Sequence, residues 1–172
     1  SLPGVFSYDG LDTGTHLLLQ HAPKPKGPRI LDLGCGSGII GMVMAKQAKQ
    51  EGWQPYILMI DSNLLAVACA EQNILANHII GARVEAGDLL EGRQGDQFDL
   101  ILTNPPFHAG HEVDYAVTEA LIHQSHAALA AGGELVLVAN RFIRYNLLIE
   151  RVFSHSRSLY QDNRFHILAA TK

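Results

Sequence analysis

The sequence predicts a doubly wound α/β domain, and three observations carry that prediction. Short, continuous apolar runs at 30–33, 55–60 and 98–103 alternate with longer stretches of helical character. Strands buried on both faces read this way, as in a parallel sheet covered by helices. A Gly-rich turn, Gly34-Cys35-Gly36-Ser37-Gly38, joins the first run to the first of these helices. The last two strand-like runs lack room between them for a crossover helix, and Asp162-Asn163 is a turn signal, so they should form an antiparallel hairpin.

In chain order, residues 1–14 are an irregular lead-in rich in Gly, Ser and Asp, and a short helix follows at Thr15–His21. Pro23, Pro25, Gly27 and Pro28 then form a linker. Strands are expected at Ile30–Leu33, Pro55–Ile60, Arg83–Ala86, Phe98–Thr103, Glu134–Ala139, Arg157–Tyr160 and Arg164–Ala170. Helices are expected at Ile39–Gln50, at Ser62–Asn77 with Ser62 as N-cap, at Val113–Ala130 and at Tyr145–Phe153. No stretch divides the 172 residues, so 1–172 reads as a single domain, mostly parallel and seven-stranded, with helices on both faces.

Composition narrows the setting. With 47% hydrophobic and 17% charged residues the chain has the make-up of a soluble globular protein, and no apolar run is long enough for a membrane span. Its opening, Ser1-Leu2-Pro3-Gly4, has no basic segment and no initiator Met, so it reads as an edge within a longer protein rather than a signal peptide. Cys35 and Cys69 offer no disulfide framework, which points to a reducing cytoplasmic location. Residues 1–140 hold 7 Lys/Arg against 15 Asp/Glu, while 141–172 hold 6 against 2. Arg141, Arg144, Arg151, Arg157 and Arg164 dominate that tail, either as a surface for phosphates or as plain solvated positions. Arg141, directly after the fifth apolar run, is a candidate substrate contact.

Two stretches fall where an open α/β sheet binds its ligands, at the carboxyl ends of strands. The first is Asp32-Leu33-Gly34-Cys35-Gly36-Ser37-Gly38, with Asp61 ending the second strand and Asp88 following the third. Gly36-x-Gly38-x-x-Gly41 fits a dinucleotide fingerprint, with Asp61 at the distance of a ribose-binding acid. Asp32, two residues before the first glycine, would repel a pyrophosphate but suit a cationic ligand. The spacing Asp-x-Gly-x-Gly-x-Gly resembles the cofactor loop of the class I, Rossmann-like methyltransferases. That resemblance implies S-adenosylmethionine, held by Asp32, Gly34, Gly36 and Gly38, with Asp61 on the ribose and Asp88 at the adenine edge. Read without it, Asp88 is a turn residue.

The second stretch is Asn104-Pro105-Pro106-Phe107, after the fourth strand. Two prolines stop any regular element there. The tetrapeptide resembles the Asn/Asp-Pro-Pro-aromatic signature of methyltransferases acting on planar nitrogens. An exocyclic amine is a poor nucleophile because its lone pair is delocalised. The Asn104 side-chain oxygen and the Pro105 carbonyl could accept its two N–H bonds, and Phe107 offers a stacking face. Displacement at a sulfonium methyl needs positioning rather than a metal. His108, His111, His123 and His126 invite a zinc reading, but neither a cysteine pair nor an H-E-x-x-H pattern accompanies them, so no metal is expected. His108 instead shapes the pocket beside Pro106 and Phe107 or caps the turn.

Gly4-Val5-Phe6-Ser7-x-Asp9-Gly10-Leu11-Asp12-x-Gly14, the loop at 32–38 and Asn104-Pro105-Pro106-Phe107-His108 together resemble the catalytic C-terminal domain of bacterial ribosomal RNA guanine-N2 methyltransferases. These belong to the methyltransferase small domain family. Asp9-Gly10-Leu11-Asp12 and Leu17-Leu18-Leu19 lie nearer its small-subunit enzyme, whereas Asn140-Arg141 leans toward the large-subunit one. The resemblance implies a ribosomal RNA or ribosomal subunit as substrate and a further N-terminal domain as partner. It also places Phe6, Asp12 and Thr15 beside the methionine part of the cofactor, though each could instead simply pack the lead-in onto the sheet.

Overall fold

The computed structural model describes residues 12–93, 95–105 and 115–172. Among the described residues twelve elements follow one another: α1 (Thr13–His21), β1 (Arg29–Leu33), α2 (Ile39–Gln50), β2 (Tyr56–Asp61), α3 (Leu64–Ala76), β3 (Ala82–Ala86), β4 (Phe98–Thr103), α4 (Tyr115–Ala128), β5 (Leu129–Asn140), α5 (Tyr145–Phe153), β6 (Arg157–Gln161) and β7 (Phe165–Thr171). The seven strands form one sheet in the order β3-β2-β1-β4-β5-β7-β6. Only β7 runs against the rest, pairing antiparallel with both β5 and β6. The doubly wound class and the terminal hairpin are therefore as the apolar runs foretold.

Alternate residues of each central strand supply two separate cores. Ile30, Ile57, Met59, Leu100, Leu102, Val136 and Val138 meet Leu18 of α1, Met44 and Ala48 of α2 and Ala70 of α3. On the other face Leu31, Leu58, Ile101, Leu135 and Leu137 meet Leu121 and Ile122 of α4 and Leu148, Ile149 and Phe153 of α5. The two-residue side-chain period of a strand assigns these faces, and the helices on each face bury them. No described helix is long and apolar enough to cross a membrane.

Most boundaries shift by a residue or two from the sequence reading, and three of the shifts have a cause visible in the structure. The N-cap of α3 is Asn63, whose Oδ1 accepts from the Leu65 N–H at 3.0 Å, and not Ser62. Asp61 causes this shift, because its Oδ1 accepts the Asn63 N–H at 2.8 Å and keeps Ser62 in the turn. The fourth helix ends at Ala128 rather than Ala130, since Leu129 already pairs with Phe98 across the sheet. The strand that follows starts before Gly132-Gly133 and not after them, running through a register shift opposite β4 between Phe98 and Leu100. The expected helix start at Val113 lies outside the described residues.

At the amino edge of the sheet, Glu134 is buried yet accepts from Lys26 at 3.1 Å and Arg157 at 2.9 Å, tying the linker and β6 to β5. At the entry to β3, Gly81 has φ +80° and an added Cβ would overlap the Pro55 carbonyl oxygen. Gly52 has φ +85° with open space around it. Gly52→Ala should therefore show only left-handed strain, about 1–2 kcal/mol. Gly81→Ala should add a backbone collision and lower the melting temperature by about twice as much or more, with about 2–4 °C per kcal/mol at this size. Thermal unfolding of the two variants side by side checks the difference.

Candidate active site at the carboxyl edge of the sheet

The turn after β1 is held in place by its neighbour. The Gly34 and Cys35 N–H groups both donate to the Ile60 carbonyl, at 2.8 and 3.0 Å, and the Gly36 N–H donates to Asp61 Oδ2 at 2.8 Å. Gly34 and Gly36 have φ of +72° and +54°, and a Cβ on either would meet nothing within 4 Å. Their backbone thus faces open space, where a ligand can approach closely. Gly38 and Gly41 serve packing instead: a Cβ there would lie 3.0 Å from Ala70 Cβ and 2.5 Å from Met59 Cε respectively.

Asp32 is fully buried beneath this turn. Its Oδ2 accepts the Gly41 N–H at 2.8 Å, while its Oδ1 has no hydrogen-bond partner. Burial pushes its carboxyl up to about 7; the Gly41 bond opposes the shift and the charge of Asp61 adds to it. An unpartnered buried acceptor of this kind suits a cationic or N–H-bearing ligand, which would relieve the desolvation. Cys35, beside it, is no nucleophile, since burial first and then Asp32 and Asp61 raise its thiol far above the usual range.

Asp61 ends β2 with both oxygens accepting backbone N–H groups, from Gly36 and Asn63. Asp88 is exposed in the turn after β3, where its carbonyl accepts from Glu91 at 3.3 Å. The Gly87 N–H donates to the Asp61 carbonyl at 3.1 Å, so the turn that carries Asp88 is fastened to the end of β2.

The β1–β4 register pairs Leu33 with Thr103, which brings Gly34 and Asn104 level at the edge. Asn104 is 8% exposed. Its Nδ2 donates to Asp12 Oδ2 and to Thr15 Oγ1, each at 2.9 Å, and its Oδ1 has no partner. Asp12 is also the N-cap of α1, accepting the Gly14 N–H on Oδ1 and the Thr15 N–H on Oδ2. Pro105 is buried next to it. Phe6, Pro106, Phe107 and His108 lie outside the described residues.

The structure thus gathers Asp32, Gly34, Gly36, Asp61 and Asn104 along one edge, and it shows Asp12 and Thr15 bonded to Asn104. That contact joins residues 92 apart in sequence and left no local mark. Arg141 stands past the end of β5, exposed, with its N–H on the Arg164 carbonyl at 2.8 Å and its Nη1 on the Asp162 carbonyl at 3.3 Å. Beside it Phe142 is 85% exposed, a feature the sequence reading passed over although an aromatic between arginines was a usable signal. His126 packs edge-on against Phe153 at 4.8 Å, away from this edge. Among the described residues no three His, Cys, Asp or Glu side chains gather as metal ligands.

An acid under a glycine turn, an acid at the end of the next strand and an Asn-Pro at the end of β4 define a Rossmann-like methyltransferase domain. The profile of the methyltransferase small domain matches residues 1–169, and the chain belongs to that family. It is 40% identical over all 172 residues to the ribosomal RNA small subunit methyltransferase C of Vibrio vulnificus, covering 48% of that protein. It is likewise 40% identical to the protein of that name from Pseudomonas putida, covering 50% of it. The chain spans about half the length of these curated relatives. Among solved structures, the T. thermophilus 16S rRNA N2 methyltransferase in complex with AdoMet and guanosine superposes with a TM-score of 0.86 at 30% identity, over 99% of this chain and 46% of that one. The ribosomal protein L11 methylase of Lactobacillus delbrueckii, at 18% identity and a TM-score of 0.70, shares the fold.

Asp32 has a pH signature. Its folded value, about 7, lies above the ordinary 3.8, so its contribution to stability is full below the ordinary value and is lost as pH rises through about 7. Asp32→Asn should melt progressively higher than the parent as pH rises from about 4 to 7, by a few kcal/mol in all, and the gap should be constant above that. Melting curves of both proteins across pH 4–9 check this.

Proposed function

We propose that this chain carries the catalytic centre of a methyltransferase that moves a methyl group from S-adenosylmethionine to the exocyclic N2 amine of a guanine in ribosomal RNA, that of the small subunit first. The observation that carries the reading is the buried, unpartnered Asn104 Oδ1 at the carboxyl end of β4, level with the open glycine turn. A donor-rich planar amine fits that acceptor, and the relatives and the guanosine-bound structure favour guanine.

The residues present fit the cofactor. Asp32 Oδ1 would accept from its ammonium, Gly34 and Gly36 leave room for its chain, and Asp61 and Asp88 flank the place of its ribose and adenine. When bound, S-adenosylmethionine supplies a methyl on a cationic sulfur, a good leaving group. Asn104 Oδ1 would take one amine N–H and the Pro105 carbonyl the other, which would turn the nitrogen lone pair toward the turn after β1. Pro106, Phe107 and His108 would complete the base pocket. A nicotinamide dehydrogenase has no use for this acceptor, and a non-catalytic domain has no reason to keep Asn104 Oδ1 buried and unpaired.

The RNA strand has a candidate platform beside this pocket. Arg141, Phe142, Arg144 and Arg164 are all exposed around the ends of β5 and the β6–β7 turn. The remaining half of the relatives' length would add a second domain and further RNA surface. A cytoplasmic setting agrees with Cys35 and Cys69, both free and buried.

Labelled-methyl transfer by the full-length protein to free subunits, naked ribosomal RNA and transfer RNA should yield N2-methylguanosine. N6-methyladenosine, label in protein alone, or tight binding of NAD instead of S-adenosylmethionine would refute the proposal. Asn104→Ala should keep cofactor affinity and lower turnover by about 100-fold or more, the size seen when one preorganised hydrogen-bond partner of a reacting group is removed. Phe142→Ala should raise KM for RNA roughly tenfold, a loss of about 1–3 kcal/mol for one stacked base, and leave cofactor affinity unchanged in a titration.

A further inference from the structure

We infer that Asp12 determines which end of the Asn104 amide faces the substrate, and so acts as a positioning residue for methyl transfer. The inference rests on the acceptor role proposed for Asn104. An asparagine side chain has two ends of nearly equal shape and opposite hydrogen-bonding character. Turned one way, Asn104 offers an acceptor to an amine; turned the other way, it offers a donor that the amine cannot use. Something must select the first.

Asp12 is the group able to do so. Its carboxylate only accepts, so at 2.9 Å it admits the Nδ2 of Asn104 and rejects the Oδ1. It cannot swing aside, because the same two oxygens hold the Gly14 and Thr15 N–H groups at the start of α1. Thr15 Oγ1, also 2.9 Å from Nδ2, takes the second amide hydrogen. A hydroxyl both donates and accepts, however, so Thr15 would tolerate either orientation. With both hydrogens engaged, Oδ1 is left buried and unpartnered. The acceptor is thus oriented before any substrate arrives, by a residue 92 positions earlier in the chain.

This separates Asp12 from a simple helix cap. Asparagine caps helices as well as aspartate does, so Asp12→Asn should leave α1 intact. Yet an amide at position 12 has one acceptor where the carboxylate has two: with its oxygen kept on the Gly14 N–H, its nitrogen takes the place of Oδ2, gives up the Thr15 N–H and demands the oxygen of Asn104. The orientation is inverted. Asn104→Asp alone sets a second carboxylate against Asp12. Both changes together restore the pattern, because a carboxylate at position 104 presents an acceptor from either end, and the amide at position 12 donates to it.

The test uses the full-length protein with the RNA acceptor that the parent methylates. Asp12→Asn and Asn104→Asp should each lower kcat by about 100-fold, with the S-adenosylmethionine dissociation constant little changed. The double variant should recover at least about tenfold over either single one, the non-additivity of a directly coupled pair. Thr15→Val should lose less than Asp12→Asn. Melting gives a readout apart from turnover: Asn104→Asp should lower the melting temperature at pH 8, and adding Asp12→Asn should restore it. Wild-type turnover in Asp12→Asn, or a double variant no better than the product of the singles, overturns the inference. A parent that labels another acceptor overturns the guanine assignment instead, and the rescue pattern is then read on that acceptor.

Discussion

The parallel pairing of β1 with β4 is the constraint on which the site depends. Sequence distance alone would keep the turn at 34–38 and the Asn104-Pro105 corner apart. The register that sets Leu33 against Thr103 brings both to the same level of the same edge. It does so at the point where the strand order reverses, with β2 and β3 to one side of β1 and β4 and β5 to the other. A crevice opens there because the connections leave in opposite directions. The apolar faces of the two strands belong to different cores, Leu31 and Ile101 to one and Ile30 and Leu102 to the other. A one-residue slip would exchange every side chain between those cores, so the register is strongly held and the site inherits its precision.

Unsatisfied polar atoms mark the same edge. Among the described residues five buried side-chain atoms have no hydrogen-bond partner: Asp32 Oδ1, Thr103 Oγ1, Asn104 Oδ1, Ser125 Oγ and Asn140 Oδ1. Four of them stand at or beside the carboxyl ends of β1, β4 and β5, and only Ser125 sits inside a helix. Each such atom costs about 1–3 kcal/mol relative to a paired one. A distribution so one-sided is hard to explain by packing, because the amino edge, with Glu134 bonded to two cations, shows that this chain satisfies buried charge elsewhere. Groups left unpaired in one place point to partners that come with a ligand.

Much of this was legible from residue order. The strands, their alternation with helices and the terminal hairpin follow from apolar runs and spacing, and Asp32, Asp61 and Asn104 were found because each lies at or next to the carboxyl end of such a run. What escaped depends on distance in the chain. Asn63 rather than Ser62 caps α3 because a carboxylate two residues back competes for the turn. Leu129 is strand rather than helix because Phe98 offers it a partner. The bond from Asn104 to Asp12 could not be read locally. Resemblance placed Asp12 and Thr15 near the site, and only the docking of α1 onto β5 and β7 shows what they touch.

The basic tail is sorted by the same geometry. In sequence its five arginines look alike, and the choice between a phosphate surface and solvated positions stayed open. In the fold Arg157 reaches Glu134 at 2.9 Å and Arg151 reaches Glu119 at 3.4 Å, so two of them answer acidic groups of the domain itself. Arg141, Arg144 and Arg164 stand instead around the end of β5 and the β6–β7 turn, because β7 runs antiparallel and returns Phe165 opposite Asn140. One reversed strand therefore carries positive charge from the end of the chain to the edge that also holds Asp12, Asp32 and Asp61. On a body with net negative charge, that local reversal of sign is what would steer a polyanion to this edge and not to another.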